Sequence, residues 1–284
     1  MRSCRRRVGR KLHGFVRILR MATGLGSLAP TAPARLRIVG LCLLMSVGRH
    51  TRDRPQDVGI EIEVGHRSFR FLVADRSELE ALYEVVVEDE YRLPRDLDPH
   101  VIVDLGSHVG SSVVAFKAAY PAARILAVEP DPRTFARLRR NISSFTDVAC
   151  VNAAVAAVTG TRTLYRQEGQ SWASSLLPSA NARAAVDVEV LTLDEVLARH
   201  EISKIDILKF DVEGAEWELF PFFAGMKTVE YLLGEVHFTP EHHAFDAVLR
   251  LLDGFEVEIV REDKYGGIIK ARRRALAGQG RPVP

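Results

Sequence analysis

Val101-Ile102-Val103-Asp104-Leu105-Gly106-Ser107-His108-Val109-Gly110 is the stretch that decides the fold of this 284-residue chain. The run Val101–Leu105 is short and aliphatic, as expected of a strand buried on both faces. It delivers an acid, Asp104, to its exit. A glycine-containing turn then leads straight into a helix expected over residues 111–120, which ends before Pro121. Glycine permits both the sharp turn and a close backbone approach to a ligand. Open α/β sheets bind ligands at the carboxyl ends of their strands, so Gly106, Ser107, His108 and Gly110 are candidate binding residues. The G-x-G-x-x-G spacing that sets a helix N-terminus against a pyrophosphate is absent. An acid in the turn suits a cofactor bearing cationic amino and sulfonium groups better than an anionic one.

Working outward, the chain alternates strand and helix. A strand over 124–129 ends in Glu129, followed by Pro130-Asp131-Pro132. Pro132 suits a first helical position, and the helix is expected to run to about residue 145. A carboxylate such as Glu129 can accept hydrogen bonds from both hydroxyls of a ribose, a device that nicotinamide enzymes also use. A third strand covers 148–151, and Asn152 after it joins Pro130 in the expected cofactor set. Segments 161–166 and 186–190 read as further β structure. The serine-rich loop between them holds Trp172, Ser174 and Ser175, which are placed to cover an acceptor. A short helix starts at Asp194. Strands at 205–210 and 228–236 alternate with helices at 213–222 and 240–252, and a β-hairpin over 255–260 and 266–271 closes the chain. This pattern predicts an α/β fold with a mostly parallel, doubly wound sheet and an antiparallel C-terminal edge.

Two later strand exits carry chemistry. The first is Lys209-Phe210-Asp211-Val212-Glu213-Gly214-Ala215-Glu216, and the second is Gly234-Glu235-Val236-His237. Strand alternation puts Glu235 and His237 on one side. His237 is the candidate general base, expected to titrate near working pH. Asp211 would orient it or the acceptor and also border the cofactor, Glu213 joins the catalytic set, and Glu235 faces substrate. Asp211, Glu213 and Glu235 form an alternative carboxylate set for Mg²⁺, but only carboxylates support it and no metal is expected.

Charge divides the chain. Residues 1–54 carry 13 Lys or Arg and one acid, Asp53, so this arm is about +12 and the remainder about −10. An acidic body argues against a nucleic-acid partner, because phosphate backbones call for a basic face. Within the arm, Leu12, Phe15, Val16 and Leu19 recur at helical spacing among Arg10, Lys11, Arg17 and Arg20, as in helices that lie on anionic membranes. The apolar stretch 38–47 is about half the roughly 20 residues that a spanning helix needs. The arm over 1–56 is therefore expected to be poorly ordered, with weak membrane contact as one reading and a start at Met21 or Met45 as another. Residues 57–99 are expected to form a small cap: a hairpin over 59–73, a helix capped by Ser77 and running to about residue 90, and a linker over 92–99. Residues 100–272 form the main domain and 273–284 a tail. The three cysteines Cys4, Cys42 and Cys150 show no disulfide or zinc spacing, which fits a reducing, cytoplasmic setting.

Together these blocks resemble the FkbM family of S-adenosylmethionine-dependent methyltransferases over roughly residues 100–272. The resemblance rests on Asp104-Leu105-Gly106 with Gly110, Val128-Glu129-Pro130, Trp172-Ala173-Ser174-Ser175, Leu193-Asp194, the run from Ile207 to Glu216, and the Glu235/His237 pair. It implies a class I methyltransferase fold and methyl transfer to a hydroxyl of a small metabolite or sugar. This chain departs from the family pattern at His108, where Asn is usual, and at Trp172-Ala173, where a glycine-rich pair is common. Two other readings compete. A nicotinamide-dependent oxidoreductase lacks support in the missing third glycine and the absent Tyr-x-x-x-Lys. A non-catalytic nucleoside-binding protein of the same fold is the other.

Overall fold

The computed structural model describes residues 2–47, 57–65, 67–167, 170–178 and 182–275. Residues 48–56 of the expected arm, His66 in the hairpin turn and 276–284 of the tail lie outside them. In chain order the elements are α1 (Arg2–Ser27), α2 (Ala32–Val47), β1 (Val58–Val64), β2 (Arg67–Val73) and α3 (Arg76–Leu82). A π-helical turn, Tyr83–Val87, extends α3. There follow β3 (Val101–Leu105), α4 (Ser111–Ala119), β4 (Arg124–Val128), α5 (Pro132–Asn141), β5 (Val148–Val151), β6 (Ala154–Val155), β7 (Gly160–Gln167), β8 (Gln170–Ser175) and β9 (Ala184–Leu191). The last are α6 (Leu193–Arg199), β10 (Ile205–Phe210), α7 (Glu216–Phe222), β11 (Val229–His237), α8 (Phe245–Leu251), β12 (Phe255–Asp263) and β13 (Gly266–Arg273).

The main sheet has the order β12-β13-β11-β10-β3-β4-β5. Five strands, from β5 to β11, run parallel, and β13 is antiparallel to both its neighbours. The chain starts at β3, winds outward to β5, then returns to β10 on the other side of β3. This reversal opens a crevice between the β3 and β10 exits, where doubly wound sheets bind ligands. Alternation along the strands fills both faces. Ile102, Ile125, Ala127, Ile207 and Leu233 join one core, whereas Val103, Leu105, Leu126, Val128, Leu208 and Phe210 join the other. A second sheet, β6-β9-β7-β8, stands beside the crevice. Its strand β8 occupies the segment expected as a serine-rich loop: Tyr165 and Gln167 of β7 pair with Ser175 and Gln170. Ladder hydrogen bonding from β7 overrides the weak local strand signal there.

The first 99 residues differ from expectation in two ways. The arm expected to be poorly ordered forms α1 and α2 over its described part, and Met21, Ala22, Leu25, Ile38 and Cys42 are buried in the same core as Ile60, Ile62 and Phe71 of the β1–β2 hairpin. Each fully buried large aliphatic or aromatic side chain there contributes about 1.5–3 kcal/mol. The N-cap of α3 is Asp75, not Ser77: Asp75 accepts from the Glu78 N–H, while the Ser77 hydroxyl donates to Asp75 at 2.6 Å. Tertiary ties hold this region to α5. Buried Asn141 accepts from the Leu72 N–H at 2.7 Å and donates to the carbonyls of Leu72 and Val109. Arg137 donates to Glu78 at 2.6 Å.

Candidate active site

The β3–α4 turn is built by backbone geometry. Gly106 has φ +74°, and a Cβ on it would lie 1.9 Å from the Asp211 carbonyl oxygen, so only glycine lets the β3 and β10 exits approach this closely. The N–H groups of Gly106 and Ser107 both donate to the Val128 carbonyl, at 2.9 and 3.0 Å. Gly110, at φ +98°, opens α4. His108 also lies in the left-handed region, at φ +49°, and its N–H donates to Glu129 at 3.0 Å. Burial pushes the His108 imidazole down to about 4, so the ring is neutral.

Glu129 is buried at the exit of β4. One oxygen accepts from His108, the other from the Asp131 N–H at 2.9 Å. Burial, with Asp131 nearby, pushes its carboxyl up to about 8. Asn152 braces this loop from outside the cavity, donating to the carbonyls of Glu129 and Pro130 at 2.8 and 3.0 Å.

Asp104 requires a correction. It does not open onto the cavity but lies fully buried beneath the turn, where it accepts from the Ser112 hydroxyl at 2.5 Å and sits 3.2 Å from Lys209 Nζ. Lys209 also donates to the Gly106 carbonyl at 2.8 Å. Burial alone would depress the Lys209 ammonium, but Asp104 and then Asp211 hold it above its usual value. The pair is therefore an internal strut of the turn.

The cavity beside this turn encloses about 870 Å³, open mouth included. Gly106, Ser107, His108, Glu129, Pro130, Ser174, Asp211 and Glu213 line it, joined by Lys209 and Tyr91. Gly110, Asn152, Ser175, Glu235 and His237 are not on its wall. Trp172 is in β8, and its side chain is outside what the structure describes.

At the far side, Asp211 follows β10. Glu213 (φ +51°) and Gly214 (φ +97°) then turn left-handed, so α7 begins at Glu216 rather than at the expected Glu213. His237, at the end of β11, is one contact beyond the wall. Its Nδ1 is 3.0 Å from Glu216 Oε1, and its Nε2 is 3.6 Å from Glu213 and 3.9 Å from Asp211. The Trp217 indole donates to the His237 carbonyl at 2.7 Å and fixes this strand end. Burial would lower the His237 imidazole, but Glu213 and Glu216 raise it well above its ordinary value. This differs from the expected titration near neutrality: the neighbouring carboxylates favour the charged form of the ring. Burial, with Asp211 adding repulsion, pushes Glu213 up to about 8. Glu235 turns away to Arg261 at 3.3 Å, and Ser175 donates to the Glu213 carbonyl at 2.6 Å. Asp211, Glu213 and His237 bring one donor atom each within 4.8 Å of one another, so His237 takes the place of Glu235 in the alternative metal set. A cation there would have to displace the imidazolium proton.

The chain matches the Methyltransferase FkbM domain over residues 104–262. It belongs to this family of S-adenosylmethionine-dependent methyltransferases. Methyltransferase 1 of Beauveria bassiana is 30% identical over 169 residues, which cover 51% of this chain and 68% of the relative. The 2-O-methyltransferase NoeI of Sinorhizobium fredii is 26% identical over 187 residues, covering 61% and 74%. Aeropyrum pernix fibrillarin, solved with bound S-adenosyl-L-methionine, is similar at a TM-score of 0.41 and 17% identity, covering 79% of this chain and 84% of that one. The strand order and the single reversed strand give this FkbM methyltransferase the class I fold that the sequence pattern implies.

Tyr91 and Lys209 are two polar cavity residues to which the sequence assigns no role. Tyr91, buried in the polar linker, stands 3.4 Å from Asp211 Oδ2, and the Lys209 ammonium lies 5.7 Å from the centre of its ring. Nothing local marks Tyr91. Lys209 had a signal, a charge inside an otherwise apolar strand, which requires a buried partner.

Proposed function

We propose that this methyltransferase transfers a methyl group to a hydroxyl of a small metabolite or sugar. The observation that carries the reading is the cavity itself: a space at the strand exits with a buried carboxylate at one end and a proton-sharing cluster at the other. The cavity chemistry suits the donor. Glu129, Asp211 and Glu213 are carboxyl groups whose charged form a cationic ligand would favour, and the one lysine on the wall is already paired. S-adenosylmethionine, when bound, supplies an electrophilic methyl on a sulfonium. Glu129 would hold the ribose hydroxyls, with Pro130 and His108 bordering the nucleoside. The turn Gly106-Ser107 and Asp211 would border the amino-acid part. Ser174 faces the acceptor side, with Ser175 positioning Glu213 through its carbonyl.

The acceptor hydroxyl must lose a proton as the new C–O bond forms. Asp211 and Glu213 are the carboxylates on the wall that can receive it, and His237 behind them sets their charge and shares the proton. A positioned base of this kind contributes about 10²–10⁴-fold, and alignment of the reacting atoms contributes up to roughly 7–11 kcal/mol. The name of NoeI, a 2-O-methyltransferase, supports hydroxyl chemistry. Cys42 and Cys150 are free thiols, which suits action in a reducing cytoplasm.

Transfer of a tritiated methyl from S-adenosylmethionine into a panel of sugars and hydroxylated metabolites tests the reading, with calorimetric titration of S-adenosylmethionine and NAD alongside. Label on an oxygen of a small acceptor is the expected result. Label on nitrogen or carbon would overturn the hydroxyl assignment, and binding of NAD in place of S-adenosylmethionine would overturn the cofactor.

A further inference from the structure

The α1–α2 hairpin has two unlike sides. One is seated: Met21, Ala22 and Leu25 of α1 and Ile38 and Cys42 of α2 are buried. The Glu63 N–H donates to the Leu28 carbonyl at 2.6 Å, and Arg17 reaches Glu84 at 2.8 Å. Gly24 lies so close to Tyr83 that a Cβ would meet its ring at 2.6 Å.

The other side is apolar and bare. Phe15, Val16 and Leu19 of α1 are exposed, as are Leu36, Leu43 and Leu44 of α2, with Leu36 and Leu44 exposed by 74% and 71%. Leu36, Leu43 and Leu44 are spaced i, i+7, i+8, so they share one helix face, opposite buried Ile38 and Cys42. Of 11 exposed large hydrophobic residues among those described, these two helices carry six, so the apolar surface is concentrated here rather than scattered. Exposed Arg20 and Arg37 flank it.

From this we infer that the hairpin docks the enzyme on an anionic lipid surface, lying in the headgroup region without crossing it. Large apolar side chains beside arginines, with Asp53 the one acid in residues 1–54, match the interface between acyl chains and anionic headgroups. Phosphate recognition by a nucleic-acid binder would need the arginines but not the leucines. The rest of the chain, about −10, is repelled by the same surface, so charge orients the molecule hairpin-first. Neither helix spans: α2 has 16 residues, and no described helix is long and apolar enough to cross a membrane. Docking also brings the cavity near lipid, because Val85, on the π-helical turn that packs against α1, lines the cavity. This inference stands independently of the acceptor assigned above.

The test is co-sedimentation of the full chain with vesicles of phosphatidylcholine alone and of phosphatidylcholine with phosphatidylglycerol. Partition onto the anionic vesicles is expected to exceed that onto neutral ones by at least about tenfold and to fall as salt rises. L19E with L44E, and separately R20E with R37E, should each lower it by at least about tenfold while leaving S-adenosylmethionine binding and the circular dichroism spectrum unchanged. A Phe15→Trp reporter should shift its emission to the blue on anionic vesicles. Each of these results would overturn the proposal: no sedimentation with either vesicle; double variants that bind like the parent; or light scattering that shows a dimer broken by L19E with L44E in a chain that ignores lipid. RNA binding lost in R20E with R37E, without vesicle binding, would equally overturn it.

Discussion

The two ends of the cavity treat charge in opposite ways. At the β3–β4 end the two buried acids each have their own partners: Glu129 accepts two backbone N–H groups, and Asp104 has Ser112 of α4 and Lys209 of β10. At the β10–β11 end, Asp211, Glu213 and Glu216 crowd around one imidazole. The first arrangement gives each carboxyl fixed hydrogen-bond partners, and suits holding a ligand. The second is a balance of repulsions relieved by one shared proton, and suits moving one. Binding and proton transfer are thus separated along one cavity by how completely each carboxylate is satisfied.

The comparison can be broken at either end. The largest effect is expected at the crowded end: His237→Gln should lower kcat by about 10²–10⁴-fold with the Kd for S-adenosylmethionine kept, measured by methyl transfer and calorimetry. Unchanged turnover would remove the cluster from catalysis. The wild-type profile should follow the same logic. A carboxylate must be deprotonated to accept a proton, and Glu213 is pushed up to about 8. The rate should therefore be low at acid pH and climb through about pH 8, and a profile flat across that value would contradict the assignment.

At the settled end the first cost is stability. Lys209→Met strands the buried Asp104 carboxylate and should cost about 3–5 kcal/mol in urea unfolding, with part recovered by adding Asp104→Asn. Glu129→Ala should weaken S-adenosylmethionine by about tenfold, a loss of the size of a charge-assisted hydrogen bond, with kcat at saturation little changed. An affinity equal to wild type would take Glu129 out of the ribose site. The smallest effect belongs outside the cavity: Asp75→Ala removes the α3 cap and should cost about 1 kcal/mol of stability without touching turnover.

Most of the scaffold was legible because its signals are local. The strands Val101–Leu105, Val148–Val151 and Ile205–Phe210 fall where the apolar runs place them, since aliphatic and β-branched residues dominate each run. Strand β8 was not legible, because the ladder from β7 makes it. The start of α7 was missed because nothing in the residue type of Glu213 announces a left-handed φ; the short turn between β10 and α7 imposes it.

The chain order of strand, acid, glycine turn and helix determined the class of fold, the strand exits that matter, and the candidate residues Glu129, Asp211, Glu213 and His237. Those features depend on alternation and on conformational preferences a few residues long. Only the folded structure decided that Asp104 is a strut under the turn, that Glu235 faces Arg261, that Tyr91 joins the wall, and that three carboxylates surround His237. Each of those depends on charges brought together from distant strands, and at such short range burial and neighbouring charge, not residue type, set what an ionisable group does.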